Sequence, residues 1–307
     1  MSSSTPLWLS LLLALASDPG PGLWDETAST AAAFRSRVLE QRDFEAGLEL
    51  VAEDVLFRDP TAVAFDPRLE AGVRGRESVF RLMQSFGLES AELDPATHFH
   101  AGPFAVSFGE LTTNGGTGMN HAPFLTVLRV REGRVVARTD YGDYDAFAPP
   151  AARIDGVKAQ LDHPLVLTAL AYLEAIADRD AETAASLLHE DARYADPTSV
   201  ALGRETGAKG RAAALDCLRS TTSPQGFEVD ELQRFFHGKH AVFHGTYEAS
   251  FSLGEGEDAK TVACAVPFVT VLKIEHESVV EHVDYVGYDA VHVALRAQEQ
   301  ESAEEGP

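Results

Sequence analysis

Two short motifs, each present twice, carry the aspartates of this chain that could do chemistry. Asp59 and Asp196 each open an Asp-Pro-Thr tripeptide, whereas Asp140 and Asp284 each open an Asp-Tyr-x-x-Tyr-Asp segment. A carboxylate can act as a general acid or base when its surroundings bring its pKa towards neutrality. An aspartate before proline is also a common turn cap, because it can accept hydrogen bonds from nearby backbone N–H groups. The motifs therefore indicate either proton transfer or a structural cap.

Both motifs belong to an internal duplication. The two Asp-Pro-Thr copies are 137 residues apart and lie in longer matching blocks, and the two Asp-Tyr-x-x-Tyr-Asp copies are 144 residues apart. The pair Pro123-Phe124 recurs at the second spacing as Pro267-Phe268. Two collinear blocks with nearly equal spacing indicate two copies of one fold. A chain of 307 residues has room for two domains of ordinary size, so any site should be sought twice.

The elements that must position these residues follow the same order in each copy. Apolar residues at helical spacing predict a helix over about 163–178, and a second helix is predicted over 181–189. A short strand around 193–196 ends at the Asp-Pro motif, and another helix is predicted over 210–220, with its counterpart over 75–85. Three long strands are then predicted in each copy: 98–112, 119–131 and 134–144, and 232–251, 260–275 and 278–288. Helices followed by long antiparallel strands are typical of an α+β domain.

Composition limits the partners. The net charge of -23 argues against nucleic acid as a partner, because phosphate backbones are bound by basic surfaces. The two cysteines, Cys217 and Cys264, show no metal-ligand spacing, so we expect buried free thiols and no zinc site.

The ends of the chain differ from its middle. An apolar run from Leu7 to Ala16 has the length of a signal peptide and is too short to span a membrane, but no Lys or Arg precedes it. The sequence leaves open export, if Met1–Ala16 is a signal peptide, and a cytoplasmic location; we expect no stable membrane insertion. The expected order is a leader over 1–26, a first domain over 27–148, a linker over 149–162, a second domain over 163–292 and a disordered acidic tail over 293–307.

The order of elements and the two motifs resemble the nuclear transport factor 2-like (NTF2-like) superfamily, in its SnoaL-like and ketosteroid-isomerase-like branch. The resemblance rests on an acidic pair ahead of Asp-Pro and on the terminal Asp-Tyr-x-x-Tyr-Asp, and it covers about 27–147 and 164–291. It implies two tandem cone-shaped domains, with helices packed in a curved antiparallel sheet around a pocket for a small apolar ligand. Family members often dimerise, which implies a pseudo-dimer within the chain or a homodimer.

The resemblance to ketosteroid isomerases implies roles for particular residues. Their Asp-Pro aspartate is the base, which here falls on Asp196 and on its duplicate Asp59. Their helix tyrosine falls on Tyr172, although a tyrosine on an apolar helix face is also a normal core residue. The first copy has Arg35 at the position of Tyr172. The aspartic acid that holds the oxyanion in those enzymes is replaced in both copies. Leu125 stands at its position in the first copy and Val269 in the second.

Two other branches imply different chemistry. Epoxide hydrolases of this superfamily resemble the chain at Asp140 and Asp284, but the Arg-x-Asp pair on their first long strand is missing. A SnoaL-type cyclase needs one aspartate as acid and base, a role that Asp140 or Asp284 could take. Residues two apart on a strand share a face, so we expect Arg138 and His282 to neighbour these aspartates. Two further histidines could carry protons or belong to the core: His121 and His244.

The sequence therefore leaves two functions open. One is a tandem SnoaL-like protein whose apolar pockets bind a small molecule without chemistry. The other is an isomerase or cyclase that transfers a proton beside a carbonyl with an aspartate and needs no cofactor or metal. The second copy keeps more of the required residues than the first.

Overall fold

The computed structural model describes residues 23–86, 88–115, 118–147, 163–203, 206–221, 229–253 and 260–304. These residues form two compact units, and each copy of the duplication builds one six-stranded sheet with helices packed on it. The α+β architecture predicted from the order of elements is confirmed. The proposed signal peptide, the leader as far as residue 22 and the linker over 149–162 lie outside the described residues, whereas the last four residues of the predicted leader belong to a helix that begins at Leu23.

The first copy begins with helix α1 (Leu23–Phe34), which continues as a π-helical turn over Arg35–Glu40. The remaining elements, in chain order, are α2 (Phe44–Leu50), β1 (Val51–Arg58), α3 (Arg68–Ala71), β2 (Val73–Arg74), α4 (Arg76–Ser85), β3 (Leu88–Ala101), β4 (Phe104–Gly115), β5 (Gly118–Arg131) and β6 (Arg134–Gly142). A 3-10 turn over Tyr144–Phe147 follows the last strand.

The second copy repeats this order. Its elements are α5 (Pro164–Ala177), α6 (Ala181–Leu187), β7 (Leu188–Asp196), a 3-10 turn (Pro197–Leu202), β8 (Thr206–Lys209), α7 (Arg211–Thr221), β9 (Val229–His237), β10 (His240–Leu253), β11 (Lys260–Glu275) and β12 (Ser278–Val286). The chain then forms α8 (Asp289–Glu304). The short second helix starts alike in both copies, because Asp43 and Asp180 each accept a backbone N–H three residues on.

The strand order is β2-β1-β6-β5-β4-β3 in the first sheet and β8-β7-β12-β11-β10-β9 in the second. The expected antiparallel sheet is in fact mixed, since β1 runs parallel to β6 and β7 runs parallel to β12. This pairing places the end of the Asp-Pro strand beside the strand that carries the second aspartate. Asp196 and Asp284 thereby come to one end of one sheet.

Two predictions about the strands and the tail are wrong. The strands predicted over 98–112 and 232–251 are each split into a hairpin, because Gly102 and Gly238 adopt positive φ values of 55° and 59° and turn the chain. In each copy the predicted meander of three strands therefore has four. The tail expected to be disordered from residue 293 is helical as far as Glu304, where alanine, glutamate and glutamine favour a helix.

The core of each copy lies between its sheet and its helices. In the first copy it joins α1, α2, α4 and the inner face of the sheet through residues such as Phe34, Val38 and Phe57. In the second copy, Val291 of α8 joins a cluster with Val266 and Phe268 of β11. None of the described helices is long and apolar enough to cross a membrane.

Candidate functional site

The Asp-Pro-Thr motif is held by the same hydrogen bonds in both copies. At the end of β7, Thr198 Oγ1 donates to Asp196 Oδ1 over 2.6 Å, and the Ser199 backbone N–H donates to the same oxygen over 3.0 Å. The threonine oxygen in turn accepts the Val286 backbone N–H over 2.8 Å. The motif thus ties β7 to the end of β12, which explains the threonine as well as the aspartate.

The first copy shows the same arrangement. Thr61 Oγ1 donates to Asp59 Oδ1 over 2.7 Å, the Ala62 N–H donates over 3.0 Å, and the Gly142 N–H donates to Thr61 over 2.8 Å. Both aspartates are buried. The turn-capping interpretation of these aspartates therefore holds for one carboxylate oxygen in each copy.

The other oxygen of each Asp-Pro aspartate binds a tyrosine that sequence reasoning missed. Tyr288 donates its hydroxyl to Asp196 Oδ2 over 2.6 Å, and Tyr144 donates to Asp59 Oδ2. These are the second tyrosines of the two Asp-Tyr-x-x-Tyr-Asp segments. Their recurrence in both copies was a signal available in the sequence, but only the fold shows that one motif binds the other.

The second aspartate of copy two sits in a separate network. Asp284 Oδ1 accepts the Thr270 hydroxyl over 2.6 Å and lies 2.8 Å from His282 Nε2, while Oδ2 accepts the Tyr194 hydroxyl over 3.1 Å. The hydroxyl of Tyr172 lies 3.1 Å from Nδ1 of the same histidine. The predicted pairing of His282 with Asp284 is confirmed, and Tyr172 reaches the aspartate only through the imidazole.

These environments shift the pKa values of the two carboxyl groups of the second copy in opposite directions. Burial raises the pKa of Asp196 to about 6, although hydrogen bonds from Thr198 and Tyr288 oppose the rise. Burial would also raise the pKa of Asp284, but the charge of His282 and the hydrogen bonds to the carboxylate outweigh it and bring this pKa below its usual range. The ionised form is thus favoured more strongly for Asp284 than for Asp196.

Both carboxyl groups line a cavity of about 360 Å³ inside the second copy. Its wall is mostly apolar and combines side chains of α5 and α7 with the inner face of the sheet, namely Leu170, Leu173, Glu174, Ile176, Ala177, Tyr194, Asp196, Leu218, Leu232, Tyr247, Phe268, Thr270, His282, Asp284, Val286 and Tyr288. Tyr172 is fully buried outside this lining. The structure therefore brings Asp196 and Asp284 to one cavity, and it places Tyr172 behind His282.

In the first copy an arginine pairs with the corresponding aspartate. Arg138 contacts Asp140 through Nε at 2.9 Å and a terminal nitrogen at 2.5 Å, and Thr126 also donates to this aspartate over 2.7 Å. The predicted neighbourhood of Arg138 and Asp140 is confirmed. The Asp140 side chain is 3% exposed, against 18% for Asp284. Asp140 is therefore much less accessible than its counterpart.

In the first copy the pKa values of both carboxyl groups, Asp59 and Asp140, are raised. Burial and the nearby charge of Asp140 raise the pKa of Asp59 to about 7. Burial raises the pKa of Asp140, and the guanidinium of Arg138 opposes that rise. Among the described contacts, Arg138 donates to Asp140 and not to Asp59, so it does not bridge two carboxylates as the epoxide-hydrolase arrangement requires.

The remaining predicted residues lie away from the cavity or lack suitable atoms. Leu125 and Val269 are buried strand residues that cannot donate to an oxyanion. His121 is exposed and lies 3.2 Å from Glu110, whereas His244 is buried outside the cavity lining.

Comparison with protein families decides the classification. The model of the SnoaL-like domain matches the chain twice, over residues 31–138 and 169–282. The chain belongs to the SnoaL-like domain family. The two matches follow the duplication, so this is a tandem SnoaL-like protein whose halves each adopt the NTF2-like fold.

Solved structures of single SnoaL-like and related domains align with the protein. A protein from Shewanella putrefaciens named as a putative SnoaL-like polyketide cyclase shares 23% identity over 44% of this chain and 98% of its own, with a TM-score of 0.37. A protein of the same description from Shewanella denitrificans shares 25% identity over 43% of this chain and 97% of its own, with a TM-score of 0.36. An epoxide hydrolase-like protein of M. tuberculosis shares 20% identity over 44% of this chain and 95% of its own, with a TM-score of 0.35. No curated protein sequence matches the chain.

Proposed function

We propose that the second copy of this tandem SnoaL-like protein binds a small, mostly apolar molecule and moves a proton on it, as a cofactor-free isomerase or cyclase would. The observation that carries the proposal is the pair of carboxyl groups on one cavity, Asp196 and Asp284, with pKa values driven in opposite directions. Two titratable groups separated in this way are typical of acid–base sites.

Asp196 is the group that exchanges the proton. Its pKa of about 6 lies close to neutrality, where general acid–base catalysis is most effective. Tyr288 lines the cavity beside this carboxyl group and donates its hydroxyl to Oδ2. A ligand atom beside Tyr288 could therefore exchange a proton with Asp196 directly or through the phenol.

Asp284 stays ionised and supplies a fixed negative charge on the neighbouring strand β12. Thr270, Tyr194 and His282 all hold its carboxylate, so it is a poor proton acceptor and a well-oriented anion. Tyr172 acts on this anion through His282 and is a positioning residue. The apolar lining supplies the orientation that a reaction without cofactor requires.

Proton transfer can be tested without knowing the net reaction. Small cyclic ketones would be incubated with the protein in D2O, and deuterium incorporation beside the carbonyl would be followed by NMR. We expect the wild type to speed exchange of at least one ketone and Asp196→Asn to lower that rate by about 100-fold or more, the usual effect of removing a general acid or base. Equal rates for the two proteins would refute the assignment of Asp196.

The first copy offers the matched control. Asp59→Asn removes the equivalent carboxyl group, which the Tyr144 hydroxyl binds in the same way. If exchange takes place in the second copy, the Asp59→Asn variant keeps the wild-type rate as long as it remains folded by circular dichroism. A loss in this variant equal to that in Asp196→Asn would show that the measured exchange does not depend on the proposed cavity.

Binding without chemistry is the second candidate, and the mostly apolar cavity wall favours it. In that case a ligand found by thermal shift would bind with similar affinity to the wild type and Asp196→Asn, and no ketone would exchange deuterium faster than in buffer. Loss of both binding and exchange in Asp196→Asn would contradict this candidate.

A further inference from the structure

Two carboxylates and one imidazole meet away from the cavity of the second copy. Asp143 and Asp145 follow directly after β6, and His237 is the last residue of β9. One oxygen of each carboxylate and one ring nitrogen of the histidine all lie within 4.8 Å of one another. The three residues belong to the same compact unit, in which they form a cluster of side chains that could share one ligand.

The ring nitrogen is the unusual member of this cluster. Nδ1 of His237 is buried and has no hydrogen-bond partner among the described residues. It lies 3.7 Å from Oδ1 of Asp143 and 3.7 Å from Oδ1 of Asp145, and both distances are too long for a hydrogen bond. Buried polar atoms are nearly always paired, because an unpaired one has lost its hydration for nothing in return. The surroundings of Nδ1 therefore favour a partner that also contacts both carboxylates.

The separations fit the ligands of one metal ion better than an ion pair. A charged imidazole that donates to a carboxylate lies about 2.7–2.9 Å from its oxygen. Ligand atoms bound at about 2.1 Å to one ion lie about 3.0 Å apart at right angles and about 3.4 Å apart in a tetrahedron. The observed 3.7 Å separations need to shrink by a few tenths of an ångström for a tetrahedral ion and by almost a whole ångström for an ion pair.

The charges of the cluster also favour a cation. Among the described contacts, neither Asp143 nor Asp145 pairs with a lysine or an arginine. Carboxylates this close to each other are each easier to ionise when a positive charge lies beside them. A neutral imidazole is a common metal ligand and adds no charge of its own, so a divalent ion would balance the two carboxylates.

The surrounding structure holds the ligands in place. The Asp143 N–H donates to the Pro123 carbonyl over 3.0 Å, and the Asp145 N–H donates to Oδ1 of Asp143 over 3.3 Å. The ring of His237 packs edge-on against Tyr144, with 5.6 Å between ring centres. The hydroxyl of that tyrosine is in turn held by the first Asp-Pro-Thr motif. The cluster is therefore anchored through both its backbone and its neighbouring ring.

We propose that Asp143, Asp145 and His237 bind a divalent transition-metal ion, with Zn²⁺ as the best match, and that this ion clips the end of β6 to the turn after β9. Imidazole favours zinc and similar ions over Mg²⁺ and Ca²⁺, and carboxylate oxygens are normal zinc ligands. The expectation of no zinc site rested on the spacing of the cysteines, and this cluster contains no cysteine. The site is independent of the proposed function, because none of its residues lines the cavity.

The duplication does not repeat this set of ligands. At the spacing of 144, Asp143 corresponds to Gly287, and the turn glycines of the two hairpins align His237 with Ala101. Two of the three ligands are thus missing from the equivalent place. The same fold forms there without them, so alanine at position 237 is a substitution that this architecture accepts.

Zinc binding tests the proposal directly. The full-length protein would be stripped with a chelator, incubated with zinc sulfate, desalted and analysed for metal, and its affinity would be measured by calorimetry. We expect one tightly bound Zn²⁺ per chain and a melting temperature raised by several degrees, because an ion that binds only the folded state stabilises it. Millimolar Mg²⁺ should not displace the zinc. A wild type that retains no zinc, or that releases it to Mg²⁺, would overturn the proposal.

Two variants locate the ion. His237→Ala should lower the zinc affinity about 100-fold or more, since even residues that only support metal ligands are worth about 10–100-fold. Asp145→Ala changes a side chain that is 67% exposed, so it should fold normally and lower the affinity about tenfold or more. The control is His121→Ala, which removes an exposed histidine beside a single carboxylate, Glu110, and should leave zinc binding unchanged. Wild-type affinity in a folded Asp145→Ala protein, or an equal loss in His121→Ala, would contradict the assignment.

X-ray absorption at the zinc edge identifies the ligands. We expect one imidazole together with oxygen ligands, at about 2.0–2.2 Å from the ion. Two or more imidazoles on the zinc would place it among other histidines of the chain and overturn the site. Loss of the single imidazole signal in His237→Ala would support it.

Discussion

The buried aspartates of the two Asp-Pro-Thr motifs should make stability depend on pH. Both have pKa values above the ordinary 3.8, about 6 for Asp196 and about 7 for Asp59. The folded protein therefore binds these protons more tightly than the unfolded chain does. Between the two pKa values of each group, unfolding releases a proton, so the free energy of unfolding falls as the pH rises.

The size of the effect follows from the difference in pKa. A tenfold change in proton affinity corresponds to about 1.4 kcal/mol. The wild type should therefore lose about 3 kcal/mol through Asp196 between pH 4 and 6, and about 4 kcal/mol through Asp59 between pH 4 and 7. Below pH 4 both contributions are fully present, and above pH 7 both are lost.

Replacing either aspartate by asparagine removes the group that binds and releases the proton and nearly keeps the shape of the side chain. Asp196→Asn and Asp59→Asn retain an oxygen that can accept the threonine and backbone hydrogen bonds. Urea unfolding would be followed by circular dichroism from pH 4 to 8 for each variant and the wild type. We expect the wild type to lose stability relative to each variant as the pH rises, over the wider pH range in the case of Asp59.

Exposed carboxylates at equivalent positions provide the controls. Asp54 and Asp191 lie on the Asp-Pro strands outside the core, and their replacement by asparagine removes one charge without changing the buried motifs. Any constant difference between variant and wild type reflects hydrogen bonds and does not affect the test. Stability curves of Asp59→Asn and Asp196→Asn that run parallel to the wild-type curve from pH 4 to 7 would refute the reasoning.

Three further predictions concern the buried network and one turn. Asp140→Asn should destabilise the first copy by about 3–5 kcal/mol in urea unfolding, because Arg138 is left as a buried charge without its ion pair; a loss below about 1 kcal/mol would contradict this. Tyr172→Phe should lower stability by only about 1 kcal/mol through its lost contact with His282, yet change the pH profile of ketone exchange, which a purely structural residue would leave unchanged. Gly72→Ala should lower the melting temperature by several degrees, since φ is +96° there and a Cβ atom would lie 2.5 Å from a leucine methyl group; an unchanged melting temperature would count against that strain.

Much of the architecture follows from patterns that are local in the chain. Helical spacing predicts α5 to within two residues, and the repeated spacings of 137 and 144 predict two equal folds. The contacts of Arg138 with Asp140 and of His282 with Asp284 also follow locally, because residues two apart on a strand share a face. Local patterns failed at Gly102 and Gly238, where a single glycine turns a continuous apolar strand pattern into a hairpin.

The candidate site depends on contacts between distant parts of the chain. That Tyr288 binds Asp196 follows from the parallel pairing of β7 with β12, which no spacing along the sequence reveals. The contact of Tyr172 with His282, rather than with an aspartate, is likewise a contact between residues 110 positions apart. Long-range pairing of this kind is set by how whole elements bury their apolar faces together.

The sequence by itself determined that this protein is a duplicated SnoaL-like chain with the same two aspartate motifs in each copy, since repeats and strand periodicity are properties of the chain alone. The sequence also showed that the copies differ at particular positions, but only the tertiary structure decided what those differences do inside each fold. In one of them Arg138 pairs with an almost wholly buried Asp140, and in the other His282 and Asp284 pair at the wall of a cavity. The physical reason is that room and charge inside a fold depend on the summed volumes of side chains from distant elements, which packing brings together.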